Sequence, residues 1–333
     1  MADYKGIKGY NIASLASDPS PLQTGQVWYN TTSATMKAYG TSVAAGSWAA
    51  GATMNSIRYN TMAAGATSAT ALSFGGKYPS SPVGPTLDIT ESHNGSAWTE
   101  LADLNTKKED GYGFGSQTAA ICASGYPGSP ANTCEKWDGT SWSEVNNTNT
   151  SKGTGSESGT SSTAGLIAGG VTTTVLNETE TWDGTSWTEV ANLNTARQQN
   201  AGAAYAPSTD TLTFGGETPP YTAVTESWNG TAWTEVADLN TARANGGGAG
   251  TSSTDAISFG GWITAAQVNN EAWNGTSWTE VGNLATAKTG AAASGTTSSA
   301  MYAGGQQPSG TPIYTAESQV WTIGEAIKTF TAT

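Results

Sequence analysis

The stretch TETWDGTSWTEVANLNTAR, residues 179–197, recurs along the chain with few changes. Close copies are TESWNGTAWTEVADLNTAR at 225–243 and NEAWNGTSWTEVGNLATAK at 270–288, and weaker ones are TESHNGSAWTELADLNTKK at 90–108 and CEKWDGTSWSEVNNTNTSK at 134–152. The second tryptophan of each copy advances in steps of 44, 45, 46 and 45 residues, at Trp98, Trp142, Trp187, Trp233 and Trp278. A fixed period of this length is typical of repeat architectures, in which each unit is one supersecondary element.

Each copy holds an Asn-Gly or Asp-Gly dipeptide between two short runs that contain Trp, Val and Thr. The dipeptides are Asn94-Gly95, Asp138-Gly139, Asp183-Gly184, Asn229-Gly230 and Asn274-Gly275. This pattern predicts a β-hairpin with a two-residue type I′ turn. Such a hairpin places Glu180, Trp182, Trp187 and Glu189 on one face, and a face that bulky is expected to pack on the next unit.

The second half of each unit is small and glycine-rich, then apolar, and ends in a glycine pair. The pairs are Gly75-Gly76, Gly169-Gly170, Gly215-Gly216, Gly260-Gly261 and Gly304-Gly305, with Ser124-Gly125 as a degenerate copy. Each unit therefore predicts four short strands, the content of one β-propeller blade. Small residues at 245–250 and 291–295 suit the innermost strand, where neighbouring blades crowd together.

These features carry a family resemblance. A glycine pair after the second strand, an acid and an aromatic on the third, and a tryptophan followed by a leucine on the fourth resemble the kelch repeat over roughly residues 46–322. The unit is shorter than the kelch repeat of about 50 residues. The wording WNGTSWTE at 273–280 is more similar to kelch-like propellers carried by virion proteins of marine bacteriophages. The resemblance implies an all-β, kelch-like propeller and a place on a phage particle.

The chain ends predict how the ring closes. Trp48 stands 27 residues before Gly75, as Trp233 stands 27 before Gly260, so Trp48 belongs on a fourth strand. The segment AESQVWT at 316–322 offers a third strand with Glu317 but no following Asn-Gly. If these two fragments share one blade, the propeller has six blades and is closed by an N-terminal strand that joins the C-terminal blade. Seven blades are the alternative, should residues 27–39 add strands of their own.

The predicted domain organisation is an N-terminal arm at 1–25, a β-propeller at 26–323 and a C-terminal tail at 324–333. Residues 26–39 favour a hairpin at the start of the propeller. The polar, proline-punctuated arm is either a docking segment for a larger assembly or a frayed end.

A cation follows each outer tryptophan by ten residues, and an acid precedes it by seven. The cations are Arg58, Lys108, Lys152, Arg197, Arg243 and Lys288, and the acids are Glu91, Glu135, Glu180, Glu226, Glu271 and, paired with Trp48, Glu317. One interpretation is a structural circle of ion pairs between blades. The other is an anion-binding ring of cations at the mouth of the channel. A second set of acids, Glu100, Glu144, Glu189, Glu235 and Glu280, fits a solvated position.

Composition limits the partners. The formal net charge of −13 argues against nucleic acid and anionic membrane surfaces. We expect no membrane insertion, since apolar runs are short, and residues 1–10 lack the apolar core of a signal peptide. Cys122 and Cys134 fall on adjacent predicted strands, where a disulfide and two buried thiols are both open. Two cysteines and one histidine predict no closed zinc site, and no cofactor is expected.

A catalytic site is not expected. His93 is the single histidine and replaces a packing tryptophan, so a Ser-His-Asp or Cys-His set has no base. Copper radical oxidases, which some kelch propellers resemble, need two histidine ligands. Sialidase propellers need three arginines that converge on one carboxylate of the substrate. Arg58, Arg197 and Arg243 hold equivalent positions in different repeats and are therefore expected to lie apart.

The function that we expect is a non-enzymatic virion structural or attachment protein. It would contact other virion proteins through its N-terminal arm and host-surface glycan through its loops, with a homo-oligomer on the particle as a further expectation. The alternatives are a cellular kelch-type protein-interaction module and a glycan-active enzyme.

Overall fold

The computed structural model describes residues 12–79, 84–308 and 314–330. This part of the chain consists of strands and turns, with a single 3₁₀ turn at Ser68–Thr70 and no α-helix, so it contains no helix able to span a membrane. The chain divides into two compact units, Met1–Gly46 with Ile323–Thr333, and Ser47–Thr322. Residues 26–46 thus fall outside the unit that holds the repeats. Residues 1–11 of the predicted arm and 331–333 of the predicted tail lie outside the described residues.

The first unit contains β1 (Ala13–Leu15), β2 (Val27–Asn30) and most of β3 (Thr35–Ala50). β2 and β3 form the hairpin expected at 26–39, with Val27 opposite Ala38 and Asn30 opposite Thr35, and β1 lies parallel to β2. Trp28 is fully buried here and donates from Nε1 to Asp18 Oδ1 at 3.1 Å. Hydrogen bonds from Lys37 and Asn30 lower the pKa of Asp18. Asp18 therefore ties the start of the described chain to this hairpin.

The second unit contains the repeats, which form five four-stranded antiparallel sheets among the described residues. Sheet 1 is β4 (Met62–Ala64), β5 (Leu72–Phe74), β6 (Thr90–His93) and β7 (Trp98–Glu100); sheet 2 is β8 (Tyr112–Ser116), β9 (Ala119–Gly125), β10 (Ala131–Trp137) and β11 (Trp142–Val145); sheet 3 is β12 (Ser156–Ser161), β13 (Ala164–Ala168), β14 (Thr179–Trp182) and β15 (Trp187–Val190). Sheet 4 is β16 (Ala201–Gly202), β17 (Thr211–Phe214), β18 (Thr225–Trp228) and β19 (Trp233–Val236); sheet 5 is β20 (Gly247–Ser252), β21 (Asp255–Phe259), β22 (Asn270–Trp273) and β23 (Trp278–Glu280).

A further set of strands combines the two chain ends. β24 (Ala292–Thr296) pairs with β25 (Ser299–Ala303), which pairs with β26 (Ser318–Phe330), and β3 follows β26 in the strand order. In the second unit, Trp48 of β3 packs on Trp321 of β26 with ring centroids 5.7 Å apart. Trp273 and Trp278 of sheet 5 pack in the same way at 5.5 Å. The four-stranded antiparallel sheets confirm the expected propeller-like, all-β architecture at this level.

The hairpin turns differ from the predicted type. In sheet 3, Trp182 lies opposite Trp187, so the loop has four residues rather than two. Gly184 has φ 95°, but Asp183 does not have a positive φ. A type I′ turn needs a positive φ at both central residues, so this type is excluded. Asp183 Oδ1 instead accepts the backbone N–H groups of Thr185 and Ser186, at 2.8 and 2.7 Å. The Asn or Asp is thus selected as a side-chain acceptor that closes the turn.

The shared face of the hairpin is confirmed, but it packs on the preceding sheet and not, as predicted, on the next unit. Glu180 lies opposite Glu189 and Trp182 opposite Trp187, so all four side chains share one face. Trp182, Trp187 and Glu180 are buried, and Glu189 is exposed. The outer tryptophans contact the preceding sheet: Trp142 packs on Phe74, and Trp187 on Phe114. Each repeat therefore buries its hairpin against its neighbour, as a stacked blade must.

Candidate functional site

The cations that recur through the repeats are buried in ion pairs. Arg197 and Glu226 are both 0% exposed, and Arg197 Nη2 lies 2.6 Å from Glu226 Oε1. The other Oε atom of Glu226 accepts the backbone N–H and the side-chain amide of Asn194, each at 2.8 Å. The equivalent pairs are Arg58–Glu91 at 3.1 Å, Lys108–Glu135 at 3.6 Å, Lys152–Glu180 at 3.2 Å and Arg243–Glu271 at 2.8 Å.

Each pair joins a connector to a single sheet. Arg197 follows the last strand of sheet 3 and leads into sheet 4, where Glu226 lies on β18. The pair therefore fixes how the chain enters the next sheet. Burial lowers the pKa of Arg197, and the Glu226 carboxylate opposes this effect. With 0–3% exposure, the six cationic side chains do not present their charge to an incoming anion.

Glu317 does not occupy the acid position of the last repeat. Its side chain is exposed, and the buried position belongs to Gln319, whose Oε1 accepts the backbone N–H of Ala285 at 2.7 Å. The reason is register: Trp321, two residues after Gln319, takes the place of the hairpin tryptophan, as Trp228 does two residues after Glu226. Lys288 is buried there and donates to the backbone oxygen of Glu317 at 2.5 Å, and it forms no salt bridge with a carboxylate among the described residues. Burial lowers its pKa to about 8.

The cysteines do not form a disulfide. Cys122 lies opposite Glu135, and Cys134 lies opposite Ala123, so the two side chains point to opposite faces of sheet 2. Both thiols are buried, and burial raises the pKa of Cys122 to about 12. His93 is also a packing residue, stacked on Trp98 at 5.1 Å with Nδ1 2.7 Å from Ser68 O.

A ring of backbone hydrogen bonds lies where the connectors enter the inner strands. It is formed by the residue two positions after each buried cation: Asn60, Asp110, Thr154, Gln199, Asn245 and Gly290. The N–H of each donates to the C=O of the preceding member, and the N–H of Asn60 donates to Gly290 O at 2.7 Å, which returns to the start of the series. All six residues have φ between 54° and 62°. This left-handed conformation is costly for the β-branched Thr154.

The ring residues surround a central cavity of about 90 Å³. Its lining includes Asp110, Glu157, Gln199 and Asn245. Asp110 accepts a hydrogen bond from Asn60 Nδ2 at 2.8 Å. Burial raises the pKa of Asp110 to about 7 and that of Glu157 to about 8. The described lining contains no lysine or arginine, so the cavity favours water and hydrogen-bonding groups over anions.

Outside this ring lies a second tier, formed by the residue that follows each glycine pair. Its members, which we call the rim residues, are Lys77, Tyr126, Val171, Glu217, Trp262 and Gln306. Each makes an antiparallel bridge with the residue directly before a ring residue, as Trp262 does with Ala244. The backbone geometry is therefore the same in every repeat, while the side chains differ completely.

The rim side chains differ in what they contact. Lys77 pairs with Glu109 at 2.8 Å, and Tyr126 donates from its hydroxyl to Val171 O at 2.9 Å, so these side chains are used within the protein. Glu217, Trp262 and Gln306 instead line a cavity of about 330 Å³, which we call the rim pocket. The rest of its lining is Gln199, Tyr221, Asn245 and Thr289.

Sequence reasoning did not find the ring or the rim. The buried Arg/Lys, Glu and Asn positions repeat and so stand out, whereas the ring and rim residues vary from unit to unit. The available signal was positional: two residues after each cation for the ring, and one residue after each glycine pair for the rim.

No protein-family model matches the chain, and no curated protein matches it. In the described residues, no group of three His, Cys, Asp or Glu side chains is placed to hold a metal ion.

Proposed function

We propose that this protein is a non-enzymatic binding protein built on a closed, six-bladed, kelch-like propeller, and that it serves as a structural or attachment component of a bacteriophage particle. The blade count is supported by the hydrogen-bond series from Asn60 to Gly290, which visits six connectors and returns to its first member. Closure is supported by the pairing of the chain ends, with Trp48 packed on Trp321. The virion role is supported by the resemblance of the repeat wording.

The observation that carries the binding role is the contrast between the buried repeat positions and the partly exposed rim positions. Buried positions hold the same residues in nearly every repeat, as scaffold positions should. The rim holds six different residues on the same backbone frame: cationic, anionic, aliphatic, aromatic and amide-bearing. Varied side chains on a rigid frame are typical of recognition surfaces. We propose host-surface glycan as the ligand and other virion proteins as the partners through the N-terminal segment.

Two measurements test this proposal. Mass spectrometry of purified phage particles should detect the chain as a stoichiometric component, and the purified protein should bind whole host cells in a pull-down. Absence from particles would contradict the virion role. Presence in particles without cell binding would leave a decoration role and would contradict attachment.

A further inference from the structure

We infer that the rim pocket binds an uncharged saccharide, with Trp262 as the aromatic platform and the amides of Gln199, Asn245 and Gln306 as partners for its hydroxyl groups. The inference rests on the proposed binding function and adds to it a position and a ligand class. Its volume of about 330 Å³ is at the lower end of the range of about 300–1,000 Å³ for small-molecule sites. A few sugar units therefore match the pocket better than a protein domain does.

The lining has the composition that sugar recognition requires. Trp262 and Tyr221 offer aromatic faces, on which the C–H face of a sugar ring packs, while both residues retain partial exposure. The side chains of Gln199, Asn245, Gln306 and Glu217 make no hydrogen bond to the described protein residues, whereas those of the repeated buried positions do. Their donors and acceptors are therefore free for ligand hydroxyl groups.

The backbone of the pocket argues against an extended peptide. Trp262 exchanges backbone hydrogen bonds with Ala244 at 2.7 and 3.1 Å, and Gln306 does so with Thr289 at 2.8 and 2.9 Å. Glu217 exchanges them with Gln198 at 2.8 and 3.0 Å. Strand addition needs free N–H and C=O groups on the receiving edge, and these are already paired. Recognition here depends on side chains, which suits a hydroxyl-rich ligand.

The charge of the pocket excludes acidic sugars as the preferred ligand. Among the seven lining residues, Glu217 is the one with a formal charge, and it is negative. The chain as a whole carries −13, so its field also repels anions. Sialylated, uronic or phosphorylated glycans would bring a like charge to Glu217. We therefore expect neutral oligosaccharides to bind and acidic ones to bind more weakly.

The test is an array of neutral and acidic glycans probed with the full chain, followed by calorimetric titration of the best neutral oligosaccharide. Trp262→Ala should weaken binding by about tenfold or more, as loss of a central aromatic contact does. Tyr78→Ala is the matched control: Tyr78 is 44% exposed but does not line the pocket, so affinity should stay within about twofold. Glu217→Gln keeps an acceptor and should change neutral-sugar binding by less than about threefold.

The outcomes separate this inference from the proposed function. Unchanged binding by folded Trp262→Ala would overturn the pocket while leaving glycan attachment in place. Preference for acidic glycans, or loss of binding in Glu217→Gln, would overturn the neutral-sugar assignment. If no glycan binds, the pocket inference fails, and particle mass spectrometry decides the virion role independently. Thermal unfolding checks the fold of Trp262→Ala. A second variant is Gln306→Ala, because the Gln306 side chain makes no hydrogen bond in the described structure; its binding is expected to be at least about threefold weaker.

Discussion

At the scale of single residues, the most consequential feature of this protein is its set of buried ion pairs. Glu226 receives Arg197 and the Asn194 amide in a fully buried site, so its charge is completely compensated. Such a pair adds little net stability over an apolar pair, but removal of one partner leaves an uncompensated buried charge. The buried ion pairs therefore fix how each connector enters the next sheet. Loss of one partner from any pair is expected to destabilise the protein strongly.

Glu226→Gln should lower the free energy of unfolding by about 3–5 kcal/mol, because Arg197 then stays buried without a counter-charge. Urea denaturation measures the change. Glu235→Gln is the matched control, since Glu235 lies directly opposite Glu226 in the hairpin but is exposed, and its effect should stay within about 0.5 kcal/mol. Equal effects of the two variants would contradict the assignment of the buried pair.

Lys288 predicts a pH dependence. Its pKa of about 8 is below its ordinary value of 10.5, so between these values the unfolded chain binds the proton and the folded chain does not. Stability contributed by this group therefore rises as pH increases from 8 to 10.5, and below pH 8 the cost of burying its charge is fully present. Gln319→Glu supplies the missing carboxylate and should raise the pKa of Lys288. Urea titrations at pH 7 and pH 10 should show stabilisation of the variant mainly at pH 7; equal gains at both values would contradict this role.

At the scale of the element, each hairpin loop is closed by the side chain of its Asn or Asp residue. In sheet 4, Asn229 Oδ1 accepts the N–H groups of Thr231 and Ala232 at 3.0 and 2.9 Å, and the Thr231 hydroxyl at 2.8 Å. Asp138 Oδ1 and Asp183 Oδ1 accept the two equivalent backbone N–H groups in sheets 2 and 3. Acceptance by Oδ1 is therefore the common requirement, and the second atom of the side chain is free to be nitrogen or oxygen.

Asn229→Ala should destabilise the protein by about 1–2 kcal/mol, because backbone N–H groups of the turn lose their acceptor. Asn229→Asp retains Oδ1 and should be close to neutral. Thermal unfolding of the two variants side by side provides the measurement. Destabilisation of the Asp variant by as much as the Ala variant would show that the amide group, rather than the Oδ1 acceptor, matters.

Much of this element was predictable. The 45-residue period, the four strands and the shared face of Trp182 and Trp187 follow from spacing alone. The turn length did not follow, because Asp-Gly fits both a two-residue turn and a four-residue loop whose Asp accepts two N–H groups. Glu317 was misassigned because it is the nearest acid in AESQVWT, whereas the spacing to Trp321 selects Gln319. The ring and rim residues were not predicted because they occupy equivalent repeat positions but differ in residue type from one repeat to the next.

At the scale of the whole molecule, the repeated buried positions form the scaffold, and the rim residues are the positions to which we propose to assign recognition. The central cavity carries Asp110 and Glu157 without a cation in its described lining. Their pKa values, about 7 and about 8, lie above those of an unfolded chain. Their ionisation in the folded protein therefore costs stability as pH rises from about 4 through 8.

Glu157→Gln should accordingly stabilise the protein at pH 9 and leave it nearly unchanged at pH 4, where the carboxylate is protonated in both states. Urea midpoints at the two pH values measure the difference. Stabilisation that is equal at both pH values would contradict the raised pKa of this carboxyl group.

Closure of the ring by the two chain ends is tested most directly by the pair Gly51→Cys and Ser318→Cys. A Cβ at position 51 would lie 3.5 Å from that of Ser318, within the range of a disulfide, and the Gly51 N–H already donates to Ser318 O at 2.9 Å. The measurement is the oxidised fraction of the folded double variant by non-reducing electrophoresis and thiol titration, with each single variant as control. A closed ring predicts an intramolecular disulfide in nearly every monomer, with Cys122 and Cys134 still reduced. Free thiols at both positions, or disulfides only between chains, would contradict it.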